Sequence, residues 1–251
     1  MTHEFNKIVE EGIKANTNGL KSVLASVVAL DGSSYRRPGV RMLILENETL
    51  IGAVSGGCVE KEILLQAQTV FKNGVPKIMT YDGRYRLGCE GVLYILIEPF
   101  NPDREFINTF SECLKNRQPF EVLSYFEKRE GVNSEFGSFV KIDKESFPFD
   151  RSHTKSRISK WSVFKQVMPP CFKLLIVGSE HDAVQLCKYA ALTGWEVTIL
   201  ARDTESKSIK DFPGAHAIYT TTPEDFDVSN IDNKTAIVLM THNFTYNLRY
   251  L

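Results

Sequence analysis

A strand, glycine turn, helix and second strand near the carboxyl end constrain the fold of this chain more than any other stretch. In KLLIVGSEHDAVQLCKYAALTGWEVTILAR, residues 173–202, a short run of branched apolar residues leads into a glycine. A segment with helical spacing follows, and a second apolar run ends the stretch. Two strands joined by a crossover helix form a βαβ unit, which requires a parallel sheet. We predict an α/β fold class with a Rossmann-like domain over residues 168–251.

The turn of this βαβ unit departs from the glycine fingerprint of dinucleotide-binding domains. In G-x-G-x-x-G/A, the second glycine lets the backbone approach a pyrophosphate. Here the three positions hold Gly178, Glu180 and Ala183, so a carboxylate stands where the pyrophosphate would bind. Two interpretations stay open, a structural domain without a dinucleotide and an altered site for NAD(P). His181 and Asp182 either orient a ligand or cap the first helical turn.

The first 100 residues predict a separate, mixed α+β domain. Apolar residues recur on one face of a helix over residues 2–17, and a second helix begins near Val59. Apolar runs predict five strands, at residues 22–30, 40–46, 50–55, 78–81 and 92–99. We assign residues 1–100 to this N-terminal domain.

Residues 101–167 are predicted to connect the two domains through a helix and short strands. The helix is REFINTFSECLKN, and VLSYF and FGSFVKI could pair as antiparallel strands. Residues 143–157, DKESFPFDRSHTKSR, are rich in charges and serines, so we expect an exposed connection there.

Composition and charge exclude several classes of function. The chain has 251 residues, and its 30 basic and 31 acidic residues are interspersed, so it lacks the basic surface that tracks a phosphate backbone. No apolar run approaches the roughly 20 residues of a membrane span, and the first residues are too polar for a secretory signal. We expect a cytoplasmic protein that binds neither nucleic acid nor a membrane.

The five cysteines are odd in number and scattered, which argues for reduced thiols and against a disulfide framework or a zinc site. Cys113 and Cys187 lie within helical patterns and Cys171 follows two prolines, so we interpret all three as packing residues.

Cys58 and Cys89 differ, because each follows glycine in a loop. In SGGCVEKE, Gly56 and Gly57 would let backbone amides face a ligand, and the positive end of the following helix would suit an anion. The same position would lower the pKa of the Cys58 thiol and make it a better metal or sulfur ligand. A small thiol packed against a strand is the alternative.

The loop DGSSYRRPG, residues 31–39, combines hydroxyl groups with two adjacent arginines. Ser33, Ser34, Arg36 and Arg37 could bind an anion or a pterin phosphate, because guanidinium groups match phosphate and carboxylate oxygens. A solvated turn is the other interpretation.

Taken together, these stretches resemble the XdhC/CoxI family of accessory factors for molybdenum hydroxylases such as xanthine dehydrogenase. GSSYRRPGVRM, IGAVSGGCVE and LGCEG are similar to the family's N-terminal domain. LLIVGSEHDA, GWEVTIL and VLMTHN are similar to its Rossmann-like C-terminal domain.

The resemblance implies a binding protein rather than an enzyme. Such proteins bind the molybdenum cofactor (molybdopterin), hold it while a cysteine desulfurase sulfurates it, and deliver it to an apo-hydroxylase. By resemblance, Cys58 and Cys89 become the candidate ligands of molybdenum or its sulfur, and residues 33–37 the contacts of the phosphate or pterin. The other candidate cofactor-binding residues are Gly56, Gly57, Gly178, His181 and Asp182.

Several departures from the family's pattern qualify the resemblance. The family usually has glycine where Glu90 and Glu180 stand, and an acid in place of Ala201. Its chain normally continues well past the MTHN motif, whereas this one ends at Leu251, so we expect either a C-terminal domain that is cut short or one whose sheet edge is completed by another chain, as in a homodimer. The rival functions are an NAD(P)-dependent oxidoreductase and a scaffold that holds the desulfurase and the hydroxylase together.

Overall fold

The computed structural model describes residues 2–85, 91–152, 160–202, 206–229 and 231–251. The chain forms two compact units, Met1–Pro169 and Pro170–Leu251. Residues 101–167, which were expected to connect two domains, belong to the first unit.

A six-stranded sheet is the centre of the first unit. The elements of this sheet and its helices are α1 (Thr2–Thr17), β1 (Ser22–Asp31), β2 (Arg41–Leu45), β3 (Leu50–Gly52), α2 (Cys58–Asn73), β4 (Lys77–Asp82), β5 (Val92–Pro99) and β7 (Gly131–Val132). The strands follow the order β3-β2-β1-β5-β4-β7, and every neighbouring pair is antiparallel. The two helices and five strands predicted for the first 100 residues are therefore confirmed, although β3 is shorter than expected.

A second, four-stranded sheet completes the unit. Its elements, with the helix that precedes them, are α3 (Arg104–Lys115), β6 (Phe120–Phe126), β8 (Gly137–Ile142), β9 (Glu145–Pro148) and β10 (Ser162–Met168). The strand order is β10-β6-β8-β9, and the predicted antiparallel pairing of VLSYF with FGSFVKI is confirmed as β6 with β8. The expectation of an exposed connection at residues 143–157 was wrong in its first half, because β9 lies there and both Phe147 and Phe149 are buried.

Apolar side chains fill both faces of the six-stranded sheet. On one face, α2 packs on β1, β4 and β5 through residues such as Ile63, Ala67 and Ile95. On the other face, α1, α3 and the second sheet share a core rich in phenylalanine. The ring of Phe5 lies 5.8 Å from that of Phe110. This burial is the main favourable term for folding the unit.

Polar groups also lie buried between the two sheets. Glu98 of β5 accepts hydrogen bonds from the backbone N–H and the hydroxyl of Ser138 on β8, at 2.7 and 2.6 Å. The Ser138 hydroxyl also lies 2.7 Å from that of Ser124 on β6. Burial raises the pKa of Glu98 to about 7, although the bonds from Ser138 and the charge of Arg41 act in the opposite direction. A carboxyl group thus joins the two sheets beside a cavity of about 130 Å³.

The second unit is built on a parallel sheet. Its elements are β11 (Lys173–Val177), α4 (His181–Leu192), β12 (Glu196–Ala201), β13 (Ala217–Thr220), β14 (Thr235–Leu239) and α5 (Phe244–Leu248). The strand order is β13-β12-β11-β14. The predicted βαβ unit and the α/β fold class are confirmed. No helix in the described ranges combines the length and apolar character that a membrane span needs.

Replacing Glu98 with glutamine should reduce the dependence of stability on pH. Since the folded-state pKa is raised from 4.5 to about 7, the unfolded chain loses this proton first as the pH rises. The stabilising effect of the protonated carboxyl is therefore complete below pH 4.5 and is lost as the pH rises towards 7. At about 1.4 kcal/mol per pKa unit, the native chain should lose a few kcal/mol more than Glu98→Gln across this window.

Denaturant unfolding at several pH values measures this difference. Glu105→Gln, at an exposed position on α3, is the matched control and should follow the native chain. Parallel pH profiles for the native chain and Glu98→Gln would contradict the assignment.

Candidate functional site

Three loops of the first unit lie at the same end of the six-stranded sheet. Strands β1, β3 and β4 run in one direction, because each pairs antiparallel with β2 or β5. The loops that follow them begin at Gly32, Ala53 and Gly83, so all three start at one end of the sheet. The sheet thus brings together the serine-arginine loop, the paired glycines, and the residues Gly83 and Gly91, between which Cys89 stands in the sequence.

Two of these loops meet at their bases. A Cβ atom at Gly91 would lie 2.6 Å from the carbonyl oxygen of Ser33 and 2.8 Å from that of Asp31, so only glycine fits without movement of the backbone. The N–H of Gly83 donates to the carbonyl of Gly91 at 2.9 Å. Cys89 lies outside the described residues, and the closeness of its thiol to the neighbouring loop stays a prediction.

The tip of the serine-arginine loop, residues 33–37, is exposed. Tyr35 is 93% exposed, Ser33 and both arginines are exposed, and Ser34 is half-buried. The N–H of Arg36 lies 3.4 Å from the hydroxyl of Ser34, which it contacts across a tight turn. Within the described ranges, the side chains of Arg36 and Arg37 form no ion pair or hydrogen bond. Two solvated guanidinium groups are therefore available to an anionic ligand.

At the base of the same loop, the negative charge of Asp31 is neutralised by an ion pair. Asp31 forms an ion pair with Lys128 and accepts a hydrogen bond from the Tyr94 hydroxyl at 3.1 Å. The bond from Lys128 lowers the pKa of Asp31. The Lys128 ammonium also lies 5.4 Å from the centre of the Tyr94 ring. Lys128 is therefore engaged at the base, and the cations offered to solvent are those at the tip.

The paired glycines precede α2 in a conformation that side chains rarely adopt. Gly56 has φ +148° and Gly57 has φ +144°, and nothing lies within 4 Å of where their Cβ atoms would be. Here glycine is required by the backbone conformation rather than by a close neighbour. The surface above the loop is open.

The carboxylate of Glu60 folds back onto this loop. Its Oε1 accepts from the N–H groups of Val54 and Ser55 at 3.0 and 2.5 Å, and its Oε2 accepts from Gly57 at 2.6 Å. Burial acts to raise the pKa of Glu60, but the backbone hydrogen bonds outweigh it and lower the pKa to about 2. Glu60 is thus an ionised carboxylate that stabilises the start of the helix.

This contact corrects the role inferred for the glycine amides. We expected the N–H groups around Gly56 and Gly57 to face an external anion, but an internal carboxylate already accepts from the loop. The sequence did contain the signal, since a glutamate three residues after an N-cap is half of a capping box, here Gly57-x-x-Glu60. Cys58 begins α2, and its side chain lies outside the described part of the structure.

Of the three cysteines interpreted as packing residues, two are fully buried. Cys113 and Cys187 are buried, and burial raises the pKa of each thiol, to about 11 for Cys113. Cys171 is half-buried. Among the described residues, no group of three or more histidine, cysteine or acidic side chains is arranged to hold a metal ion.

In the second unit, the predicted site residues lie where β11 and β14 end. Gly178 has φ +133°, and a Cβ there would lie 2.5 Å from the carbonyl oxygen of Met240. Asp182 accepts from the N–H of Ala183 at 3.0 Å and lies 2.8 Å from Nε2 of His242. This pair lowers the pKa of Asp182 and raises that of His242. Asp182 therefore contacts the first turn of α4 and His242, and its role toward a ligand stays a prediction.

The start of α4 is poorly suited to a pyrophosphate. Glu180 is the N-cap residue and Asp182 lies in the first turn, so two carboxylates stand where a dinucleotide would place its charge. His181 is exposed, and its ring approaches the Gln185 amide at 3.5 Å. Arg202 packs on the Tyr246 ring at 4.4 Å. The described residues give no support to NAD(P) binding.

Comparison with known families agrees with the geometry of both units. A model of the XdhC and CoxI family matches residues 16–82, which include the serine-arginine loop and the paired glycines. A model of the XdhC Rossmann domain matches residues 174–251. The two matches together span more than half of the chain. The chain belongs to the XdhC and CoxI family.

Two relatives of this family align over most of the chain. The first, from Bacillus subtilis (strain 168), is named as a probable subunit of xanthine dehydrogenase. It is 24% identical over 245 residues, covering 90% of this chain and 73% of the relative. The second, from Escherichia coli (strain K12), is named "Molybdenum cofactor insertion chaperone PaoD". It is 24% identical over 254 residues, covering 100% of this chain and 69% of the relative.

A solved structure has the same fold. The crystal structure of a xanthine dehydrogenase from Bacillus halodurans superposes with a TM-score of 0.78 at 23% identity. The match covers 97% of this chain and 77% of that one. At this level of identity the likeness establishes the architecture of the chain.

Replacing Glu60 with alanine should loosen the loop that precedes α2. The substitution removes the acceptor for three backbone N–H groups, at Val54, Ser55 and Gly57, and unsatisfied amides of this kind cost about 1–3 kcal/mol. We expect lower stability and faster hydrogen exchange at these three amides. Glu62→Ala, on the same helix, is the control, since Glu62 accepts from the Gln66 side chain rather than from the loop. Unchanged exchange at Ser55 and Gly57 in Glu60→Ala would refute this role.

Replacing Gly91 with alanine should separate the two loops that meet there. The added methyl would overlap the carbonyl oxygens of Ser33 and Asp31, and overpacking costs about 1–3 kcal/mol. Gly131→Ala is a matched control, because nothing lies within 4 Å of the Cβ it would add. Denaturant unfolding of both variants tests the contact, and equal stability would show that the loops do not meet as described.

Proposed function

We propose that this protein binds the molybdenum cofactor, holds it during sulfuration, and delivers it to a xanthine dehydrogenase-type molybdenum hydroxylase without catalysing a reaction itself. One observation carries the proposal. The six-stranded sheet brings two solvated arginines, an open glycine loop and Gly91, which follows Cys89 by two residues in the sequence, to one end of the first unit. The name of the Escherichia coli relative supports the same role.

The residues at this end suit the phosphate and pterin portions of the cofactor. Arg36 and Arg37 have exposed guanidinium groups without partners among the described residues, and a guanidinium fork matches phosphate oxygens in pairs. The hydroxyl groups of Ser33 and Ser34 add neutral donors on the same loop. The cofactor would be the cargo of the protein, so it must bind and also leave, and solvent-exposed contacts favour its release.

Two thiols would complete the site on the metal side. Thiolates are soft ligands, which suit a metal centre that carries sulfur. We assign Cys58 and Cys89 to this task because Cys58 starts the helix after the open glycine loop, and Cys89 precedes Gly91, which contacts the serine-arginine loop. Gly56 and Gly57 would leave space for the cofactor above the loop.

Three partners follow from this function. The apo-form of the hydroxylase would receive the cofactor, and a cysteine desulfurase would supply the sulfur. We also propose a homodimer, since the parallel sheet of the second unit has only four described strands and β14 forms its edge. The name of the first relative supports the link to xanthine dehydrogenase, and that of the second supports the link to the molybdenum cofactor.

Metal and pterin content test the proposal directly. Purified anaerobically from a host that makes the molybdenum cofactor, the native chain should contain molybdenum and a fluorescent pterin in equal amounts. Cys58→Ala and Cys89→Ala should lose most of the molybdenum, because each removes a proposed ligand. Cys171→Ala is the control, since it removes a half-buried thiol from the other unit.

The alternatives give different results in the same preparation. Absence of molybdenum and pterin together with saturable NAD(H) binding would overturn the proposal in favour of an oxidoreductase. Absence of every ligand, with capture of both the desulfurase and the hydroxylase, would overturn it in favour of a scaffold.

Loss of either loop arginine should weaken cofactor binding in a salt-dependent way. A hydrogen bond to a charged group contributes about 1.5–3 kcal/mol, so Arg36→Gln or Arg37→Gln should reduce the affinity for molybdopterin roughly 10- to 100-fold. Titration followed by pterin fluorescence at two salt concentrations measures the change. Arg129→Gln is the control, because Arg129 is exposed and already paired with Glu127. Affinity that is insensitive to Arg36 and Arg37 would remove the phosphate contact from the proposal.

A further inference from the structure

We propose that Arg41 and Gln166 are positioning residues, which hold the loop of residues 32–40 in the conformation that presents its two exposed arginines. The role in ligand binding rests on the proposed function, but the role in ordering the loop does not. Neither residue is among the candidate site residues that the sequence indicated, and neither is exposed.

The carboxyl end of the loop is fixed at Gly39. Its N–H donates to the carbonyl of Val27 on β1 at 2.8 Å, and its own carbonyl accepts from Nη1 of Arg41 at 3.0 Å. The N–H of Val27 donates in turn to the carbonyl of Val40 at 3.0 Å. The backbone at the end of the loop is thereby attached to the central strand of the sheet.

Gln166 attaches the same point to the second sheet. It lies on β10 and is buried, and its Oε1 accepts from Nη1 of Arg41 at 2.5 Å. A Cβ at Gly39 would lie 2.5 Å from Nε2 of Gln166, so the amide fills the space beside the glycine. Gly39 also has φ +102°, which a side chain would strain. One guanidinium nitrogen therefore joins a loop carbonyl to a side chain of the other sheet.

Arg41 is buried, and the described hydrogen bonds of its guanidinium group are those to Gly39 and Gln166. The residue is 7% exposed, and its guanidinium lies 5.5 Å from the centre of the Phe5 ring. Its Nε and Nη2 atoms are buried without hydrogen-bond partners in the described part of the chain. Burial lowers the pKa of Arg41 to about 10, so the group stays cationic at neutral pH.

A buried cation with two unsatisfied nitrogens costs free energy that an apolar side chain would not. Costs of this kind concentrate at functional sites, where a local rule is broken to fix a geometry. Here the contacts of Arg41 fix the conformation at Gly39, at the end of the loop that carries Arg36 and Arg37. Since the other end is held at Asp31 and Gly91, the exposed tip is anchored on both sides.

Anchoring matters for affinity because a flexible loop loses conformational entropy when a ligand binds. A loop that is already ordered avoids most of this cost. Removing the acceptor at Gln166 would leave Nη1 of Arg41 with the Gly39 carbonyl alone, and the tip would sample more conformations.

Limited trypsin digestion tests the ordering without any ligand. Trypsin cleaves the Arg36–Arg37 bond once the tip opens, whereas the Arg37–Pro38 bond resists cleavage because proline follows. Gln166→Met keeps the length of the side chain and removes the acceptor, so cleavage after Arg36 should be about tenfold faster if one hydrogen bond of about 1.4 kcal/mol is lost. Gln166→Glu restores an acceptor for Arg41 and should return cleavage to near the native rate.

Val163→Ala is the matched control, because Val163 lies on the same strand with an exposed side chain. All digestions are run well below the unfolding temperature of each variant, so global unfolding does not contribute. Equal cleavage rates after Arg36 in the native chain and in folded Gln166→Met would overturn the proposal.

Molybdopterin titration then tests the consequence for binding. Gln166→Met should bind about tenfold more weakly than the native chain, and Gln166→Glu should recover the affinity. Faster cleavage with unchanged affinity would overturn the positioning role in binding. If the native chain binds no molybdopterin, the proposed function fails, while the digestion still decides whether Arg41 and Gln166 order the loop.

Discussion

The antiparallel pairing of β1 with β5 determines where the candidate residues of the first unit lie. Asp31 at the end of β1 pairs with Val92 at the start of β5, and Asp82 at the end of β4 pairs with Val92 from the other side. The two segments that leave these strand ends therefore start next to each other. The contact of Gly91 with the Ser33 carbonyl follows from this register.

Sequence periodicity predicted the helices and strands that bury their apolar residues. It failed for strands that bury polar residues or expose apolar ones. The strands of the first 100 residues and the βαβ unit have dense apolar runs, so they were identified within a few residues. Strand β10 has buried Gln166 and exposed Val163 and Val167, which inverts the usual alternation. In β9, buried Phe147 stands among charged and polar residues and was interpreted as part of an exposed connection.

The loops of the candidate site could be chosen from the sequence because stretches with glycine, arginine and cysteine are visible there, and their role as a site stays a prediction. The contacts that shape those loops were not. Arg41 lies in the apolar run of β2, and its acceptor Gln166 lies 125 residues further along the chain, a separation that no local pattern reveals. The return of Glu60 to its own loop is a local contact, and a search for helix capping patterns finds it.

The position of the Glu60 carboxylate affects how inorganic anions in solution compete for the loop before α2. Open amides at the start of a helix bind phosphate and sulfate without regard to what those groups are attached to. In this chain an internal carboxylate binds the amides of Ser55 and Gly57, so these amides are not open to simple inorganic anions. A large ligand at this end of the sheet would then be distinguished from the abundant salts around it by groups that contact several of its parts at once.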